Sequence, residues 1–85
     1  MTPYKLADKY YEHHPDGHFF DEETLAFFGE DLSESQVLEE TEFVKDWNGH
    51  PHECYVYKGF QHNAPIPDWH YAYFDVETFD SILVE

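Results

Sequence analysis

The chain has no arginine and only four lysines against 19 aspartates and glutamates, so its formal charge is −15. Protonating all seven histidines would still leave it at −8. A body this anionic repels phosphate backbones and acidic lipid, which argues against direct binding of DNA, RNA or membrane. Cysteine is nearly absent as well. The single Cys54 permits no intramolecular disulfide, and the expected setting is a reducing cytosol. No apolar run reaches the roughly 18 residues that a membrane helix requires. The stretch from Met1 to Lys9 also lacks the apolar segment of a signal peptide. There is no glycine-rich phosphate loop, no nucleophile elbow and no His-Glu-x-x-His.

Aromatic residues, by contrast, are abundant: eight phenylalanines, seven tyrosines and two tryptophans in 85 residues. Each ring can bury about 150–250 Å². A domain this short therefore gains its compactness from an aromatic core. Hydrophobic residues make up 41% of the chain, enough to set it apart from disordered sequences of similar charge. We read it as a single domain over residues 1–85.

Thr2-Pro3 has the form of an N-cap followed by an N1 proline, and predicts a helix through about Glu12. His13-His14-Pro15-Asp16-Gly17 follows as a loop. The pattern Phe-Asp-x-Glu-Thr-apolar then occurs twice, at Phe20–Leu25 and at Phe74–Phe79. Asp21 and Asp75 suit N-caps, and Phe20 with Leu25 and Phe74 with Phe79 suit hydrophobic staples. The pattern therefore predicts a second short helix ending at Phe28-Gly29 and a closing helix from Val76 to about Leu83. Between them, Gln36–Trp47 and His52–Phe60 read as strands around Asn48-Gly49, a strong hairpin signal. A two-residue loop there would pair Phe43 with Cys54, Thr41 with Val56 and Glu39 with Lys58. It would leave Glu40, Glu42, Glu53, Tyr55 and Tyr57 on the opposite, acid-and-tyrosine face. Trp69–Phe74 reads as a third strand. The expected fold is thus α+β: two short N-terminal helices, a three-stranded antiparallel sheet with its hairpin at Asn48-Gly49, and a C-terminal helix.

His50, His52 and Cys54 alternate along one strand and include zinc-type donors, with His62 and His70 as further candidates. No second cysteine pair accompanies them, and Cys54 beside Val56 suits a small core residue. We therefore expect no metal and no other cofactor. His13, His14 and His18 read as loop surface. Carboxylates are so numerous that no acid/base pair stands out, and the negative field is wrong for a thiolate nucleophile at Cys54. No catalytic residues are assigned.

The acidic surface is the remaining candidate for function. Glu30, Asp31 and Glu34 lie on one connection, and Glu39, Glu40, Glu42, Asp46 and Glu53 lie along the hairpin. Residues two apart on a strand are about 6.6 Å apart on one face. Such an array can imitate a sparse line of phosphates, with Tyr55 and Tyr57 as anchors of the type enriched at hot spots.

The segment Gly17-His18-Phe19-Phe20-Asp21, running on through Thr24-Leu25 to Phe27-Phe28-Gly29, resembles a small domain family of bacteriophages and other mobile elements. The family pattern is "GHFF…T(L/M)xFFG", then a middle hairpin, then an ending like Tyr71-Ala72-Tyr73-Phe74-Asp75 with Thr78-Phe79. The likeness covers roughly Asp16 to Ile82, and its motifs are caps, staples and core positions. Many relatives are basic, whereas this chain has no arginine. The resemblance implies a mobile-element origin and a bacterial host cytoplasm. Joined to the charge, it leads to the expectation of an accessory protein that inhibits a host nucleic-acid-processing enzyme, of anti-CRISPR or anti-restriction type. The partner is then a basic protein. The alternative is a small interaction or structural module whose acidity only solubilises it.

Overall fold

The computed structural model describes residues 1–19, 35–61 and 68–85. Along these, the order is helix α1 (Pro3–His13) and strands β1 (Gln36–Val37), β2 (Glu42–Lys45), β3 (Pro51–Gln61), β4 (Asp68–Asp75) and β5 (Ser81–Val84). All strand pairs are antiparallel, and β3 and β4 form the centre.

The first helix begins where the sequence places it. Thr2 Oγ1 accepts the Lys5 N–H at 3.1 Å, and Pro3 occupies the first turn, where its missing N–H leaves nothing unsatisfied. Leu6, Ala7 and Tyr10 face the sheet, with Leu6 wholly buried. The rings of Phe19 and Phe74 stack at 5.1 Å, and Phe19 meets Tyr57 and Tyr10 edge-on at 5.7 and 5.6 Å. The core between helix and sheet is therefore aromatic.

The expected arrangement of two helices, three strands and a closing helix is overturned. The described residues form one helix and a five-stranded sheet, and residues 81–84 are a strand. The predicted second helix, Asp21–Phe28, lies outside the described residues. Asp75 does cap a turn, since its Oδ1 accepts the N–H groups of Glu77 and Thr78 at 2.7 and 2.9 Å. That turn does not propagate into a helix. Phe79, at φ +59, leaves the helical region and directs the chain back along β4. Ile82 and Val84 are β-branched residues that fit a pleated strand better than a helix.

The edge strand is also not continuous. β1 and β2 pair with successive stretches of β3, and Glu39-Glu40 form a bend between them. The hairpin register is one residue from the expected one: Glu42 faces Cys54, Phe43 faces Glu53 and Val44 faces His52. The cause is the turn. Asp46 Oδ1 accepts the N–H groups of both Asn48 and His50 at 2.9 Å, and the Asp46 N–H donates to the His50 carbonyl at 3.0 Å. Trp47-Asn48-Gly49 is thus a three-residue loop, with Gly49 at φ +83 in the position that favours glycine.

The second face of the sheet buries Cys54, Val56 and Tyr73, with Leu38, Val44, Tyr71 and Ile82 packed around them. β2 and β5 come into contact across this face, although two strands separate them. In a flat sheet they would stand about 14 Å apart, three strand spacings. The sheet is therefore rolled around its second core.

Candidate functional site

Among the described residues, the β2–β3 hairpin combines the exposed acids predicted to matter with the most exposed aromatic residues. Glu39, Glu40, Glu42 and Glu53 are all exposed on or beside it. The Glu53 carboxylate is oriented by the Thr41 hydroxyl, which donates to it at 2.8 Å. Glu42 pairs with Cys54, whereas Glu53 pairs with Phe43, so these two acids belong to opposite faces of the strand pair. Asp46 is turned inward to cap the loop and to meet His52. Glu30, Asp31 and Glu34 lie outside the described residues.

Tyr55 and Tyr57, expected as surface anchors, belong to the core. Tyr57 is 1% exposed, and its hydroxyl donates to Ser35 Oγ at 2.8 Å. Tyr55 is half-buried and stacks on Phe79 at 5.8 Å. They share the face of β3 that carries Ala72 and Phe74 across the β3–β4 ladder, which is the face α1 covers. Among the described residues, the most exposed aromatics are instead Trp47, 93% exposed in the loop, and Phe43, 77% exposed on β2. The signal in the sequence was partial: Trp47 adjoins the Asn48-Gly49 turn, which has no use for an indole, whereas nothing marks Phe43.

At the base of the hairpin, one histidine is held between two carboxylates. His52 Nδ1 lies 2.8 Å from Asp75 Oδ2, and Nε2 lies 2.9 Å from Asp46 Oδ2. Neutral imidazole has one N–H, so only the imidazolium donates to both acids. The hydrogen bond to Asp46, then that to Asp75, raises the His52 pKa above its ordinary value despite partial burial. Asp46 is held below the usual carboxylate range, first by His52 and then by the His50 N–H. Burial pushes Asp75 up, but the Thr78 N–H, His52 and the Glu77 N–H outweigh it and lower the pKa. The trio ties the hairpin loop to the β4–β5 connection. Beside it is a cleft of about 300 Å³ lined by Pro51, His52, Glu53, Asp75, Val76 and Glu77.

This geometry does not arrange Cys54 for chemistry. Its thiol is fully buried and its pKa is pushed up to about 11, chiefly by burial and then by Asp75 and Glu53. The thiol points to the His52 carbonyl at 3.5 Å, while the imidazole faces the two aspartates. Among the described residues, no group of three or more His, Cys, Asp or Glu side chains is placed to hold a metal ion. His14, expected on the loop surface, is a bridge: its Nε2 lies 3.0 Å from both the Thr78 carbonyl and Asp80 Oδ1. No helix among the described residues is long and apolar enough to cross a membrane. Comparison with protein-family models, with curated proteins and with solved structures gives no match.

Proposed function

We propose that the chain is an accessory protein of a phage or other mobile element that binds a basic, nucleic-acid-processing host enzyme and occupies its phosphate-binding groove. The observation that carries this reading is the charge of −15 with no arginine, joined to exposed glutamates at positions 39, 40, 42 and 53 of one hairpin. Glu39, Glu40 and Glu42 fall within a chain length of at most about 11 Å. B-DNA carries one charge per roughly 3.4 Å along each strand. The hairpin is therefore a sparse substitute for a strand backbone, and suits a groove lined with lysine and arginine. Long-range attraction between such surfaces makes association fast and sensitive to salt.

The test is an inhibition assay on a panel of DNA- and RNA-cleaving enzymes, restriction and RNA-guided nucleases included, at several salt concentrations. Competitive inhibition that weakens steeply with salt is expected for at least one class. Glu39→Gln, Glu40→Gln and Glu42→Gln together should slow association about tenfold or more. Inhibition that is indifferent to these three changes would refute groove occupation by the hairpin.

A second reading keeps the chain as an interaction module whose acidity only solubilises it. It is favoured by the spread of acids beyond the hairpin, with Asp8, Glu12 and Asp16 on or after α1 and Glu77, Asp80 and Glu85 around β5. On that reading the triple substitution leaves partner binding intact.

A further inference from the structure

We propose that Trp47 and Phe43 form the apolar anchor of the hairpin, docking into an apolar pocket on a basic protein surface while the surrounding glutamates meet its cationic rim. This rests on the preceding reading for the sign of the partner's charge, and assigns the contact residues and their division of labour.

Among the described residues, neither side chain packs into a core cluster. Trp47 is 93% exposed and Phe43 is 77% exposed, whereas both core clusters are built from other residues. The loop needs an acceptor at Asp46 and a left-handed residue at Gly49, and neither need is served by an indole at position 47. Phe43 sits on the sheet face that α1 covers further along, paired with exposed Glu53. The residues are four apart, so their backbones lie within about 14 Å. That is well inside one standard interface, which buries about 800 Å² per partner. Tryptophan is the side chain most typical of interface hot spots, and a hairpin loop is a shape that enters a pocket.

Charge selects the occupant. A second copy brings another −15, and nucleic acid or an acidic bilayer is likewise repelled. Glu53 stands opposite Phe43 on the same face, Glu42 precedes Phe43 on the other face, and Glu39 and Glu40 lie on the bend before β2, so the complementary surface is cationic around an apolar centre. The two contributions separate kinetically: rim charges govern the association rate and its salt dependence, and a desolvated anchor governs dissociation.

The probes are a synthetic amphipathic peptide of lysines and leucines, poly-lysine of equal charge, and vesicles of phosphatidylcholine. Trp69→Phe leaves Trp47 as the sole indole and reports on it by fluorescence, and interferometry on the otherwise unaltered chain gives the rate constants. The Lys/Leu peptide should shift Trp47 emission to the blue and keep part of its affinity at about 0.5 M salt, where the screening length is only a few ångströms. Poly-lysine should bind without the shift and be lost at that salt. Trp47→Ala should raise the dissociation rate of the Lys/Leu peptide about 30-fold, as expected for a hot spot. Phe43→Ala should act in the same direction, and Glu40→Gln with Glu42→Gln should lower the association rate alone. An unshifted Trp47, an unchanged dissociation rate in Trp47→Ala, or an equal blue shift on phosphatidylcholine would each overturn the proposal. Failure of the nuclease panel together with a Trp47-dependent peptide complex would remove the inhibitor reading and leave the anchor standing. Inhibition that survives Trp47→Ala unchanged would do the reverse.

Discussion

His52 makes the protonation state of one side chain a structural matter. Both ring nitrogens face carboxylate oxygens within 2.9 Å, so the ring contributes most when charged. Its folded pKa is raised above 6.5, and its stabilisation is therefore complete below that value and is lost as pH rises through the folded pKa. The lowered pKa values of Asp46 and Asp75 act on the other side. Their contribution is present above about 4, the ordinary carboxylate value, and is lost as pH falls through the folded values. The trio is thus strongest between about pH 4 and 6.5. The melting-temperature gap between the native chain and His52→Gln should be widest at pH 5.5–6.5 and should narrow towards pH 8.5. The two proteins differ at this ring alone, so the difference isolates it, and a gap that does not vary with pH would show that His52 acts by packing alone. Cys54 makes a plainer case. A thiol that is fully buried and pushed up to about 11 should react with a neutral alkylating reagent only when the chain opens. Its labelling rate should therefore follow the unfolding equilibrium across a urea series.

Individual elements show what sequence reasoning can reach and where it stops. The N-cap of α1 was legible because Thr2-Pro3 acts over a single turn, and the β4 boundaries were close because its residues alternate between two apolar faces. The fate of the C-terminal segment was not legible. Asp75 offers the same N–H acceptors to one isolated turn as to a whole helix, and the path of the chain beyond that turn is decided by pairing with β4. The hairpin register turned on Asp46. Its carboxylate captures two backbone N–H groups and lengthens the loop by one residue, so every cross-strand partner changed. That slip moves Glu42 to the Cys54 face and leaves Phe43 opposite Glu53. Tyr55 and Tyr57 share the Glu53 face in either register, and what buries them is α1 packed on that face, which strand spacing alone does not reveal. Substitutions can check this account. Gly49→Ala meets no atom within 4 Å of its new Cβ, so its cost is purely conformational, about 1–2 kcal/mol for a left-handed residue, read by urea denaturation. Asp75→Ala removes the cap of the β4–β5 connection and one carboxylate partner of His52. It should cost about 2–5 kcal/mol, the sum of a lost cap and a broken charged hydrogen bond. A cost for Gly49→Ala well above that range would mean that the loop makes contacts absent from this structure.

At the scale of the whole molecule, the same charge that suits a basic partner strains the fold. The molecule extends 34 × 26 × 25 Å. At 0.01 M ionic strength the screening length is about 30 Å, so each carboxylate is repelled by nearly all the others, whereas at 1 M it is about 3 Å and only neighbours interact. Among the described residues, the lysines make few favourable contacts to set against this. Lys9 meets Glu12 at 3.3 Å in a solvent-exposed pair, and Lys58 lies over the Trp69 ring at 4.6 Å. Relief of self-repulsion on adding salt should therefore exceed the weakening of these contacts. For a gain of about 1–2 kcal/mol, a domain of this size should melt roughly 5–15 °C higher in 1 M sodium chloride than in 0.01 M. A melting point that fell with salt would mean that attractive pairs dominate the surface. The proposed binding to a cationic partner should respond in the opposite sense, because the same ions screen the attraction that speeds encounter. Across one salt series, stability should rise while the association rate drops. Glu39→Gln, Glu40→Gln and Glu42→Gln together should flatten both slopes: fewer like charges remain to repel one another within the chain, and fewer remain to draw a partner in.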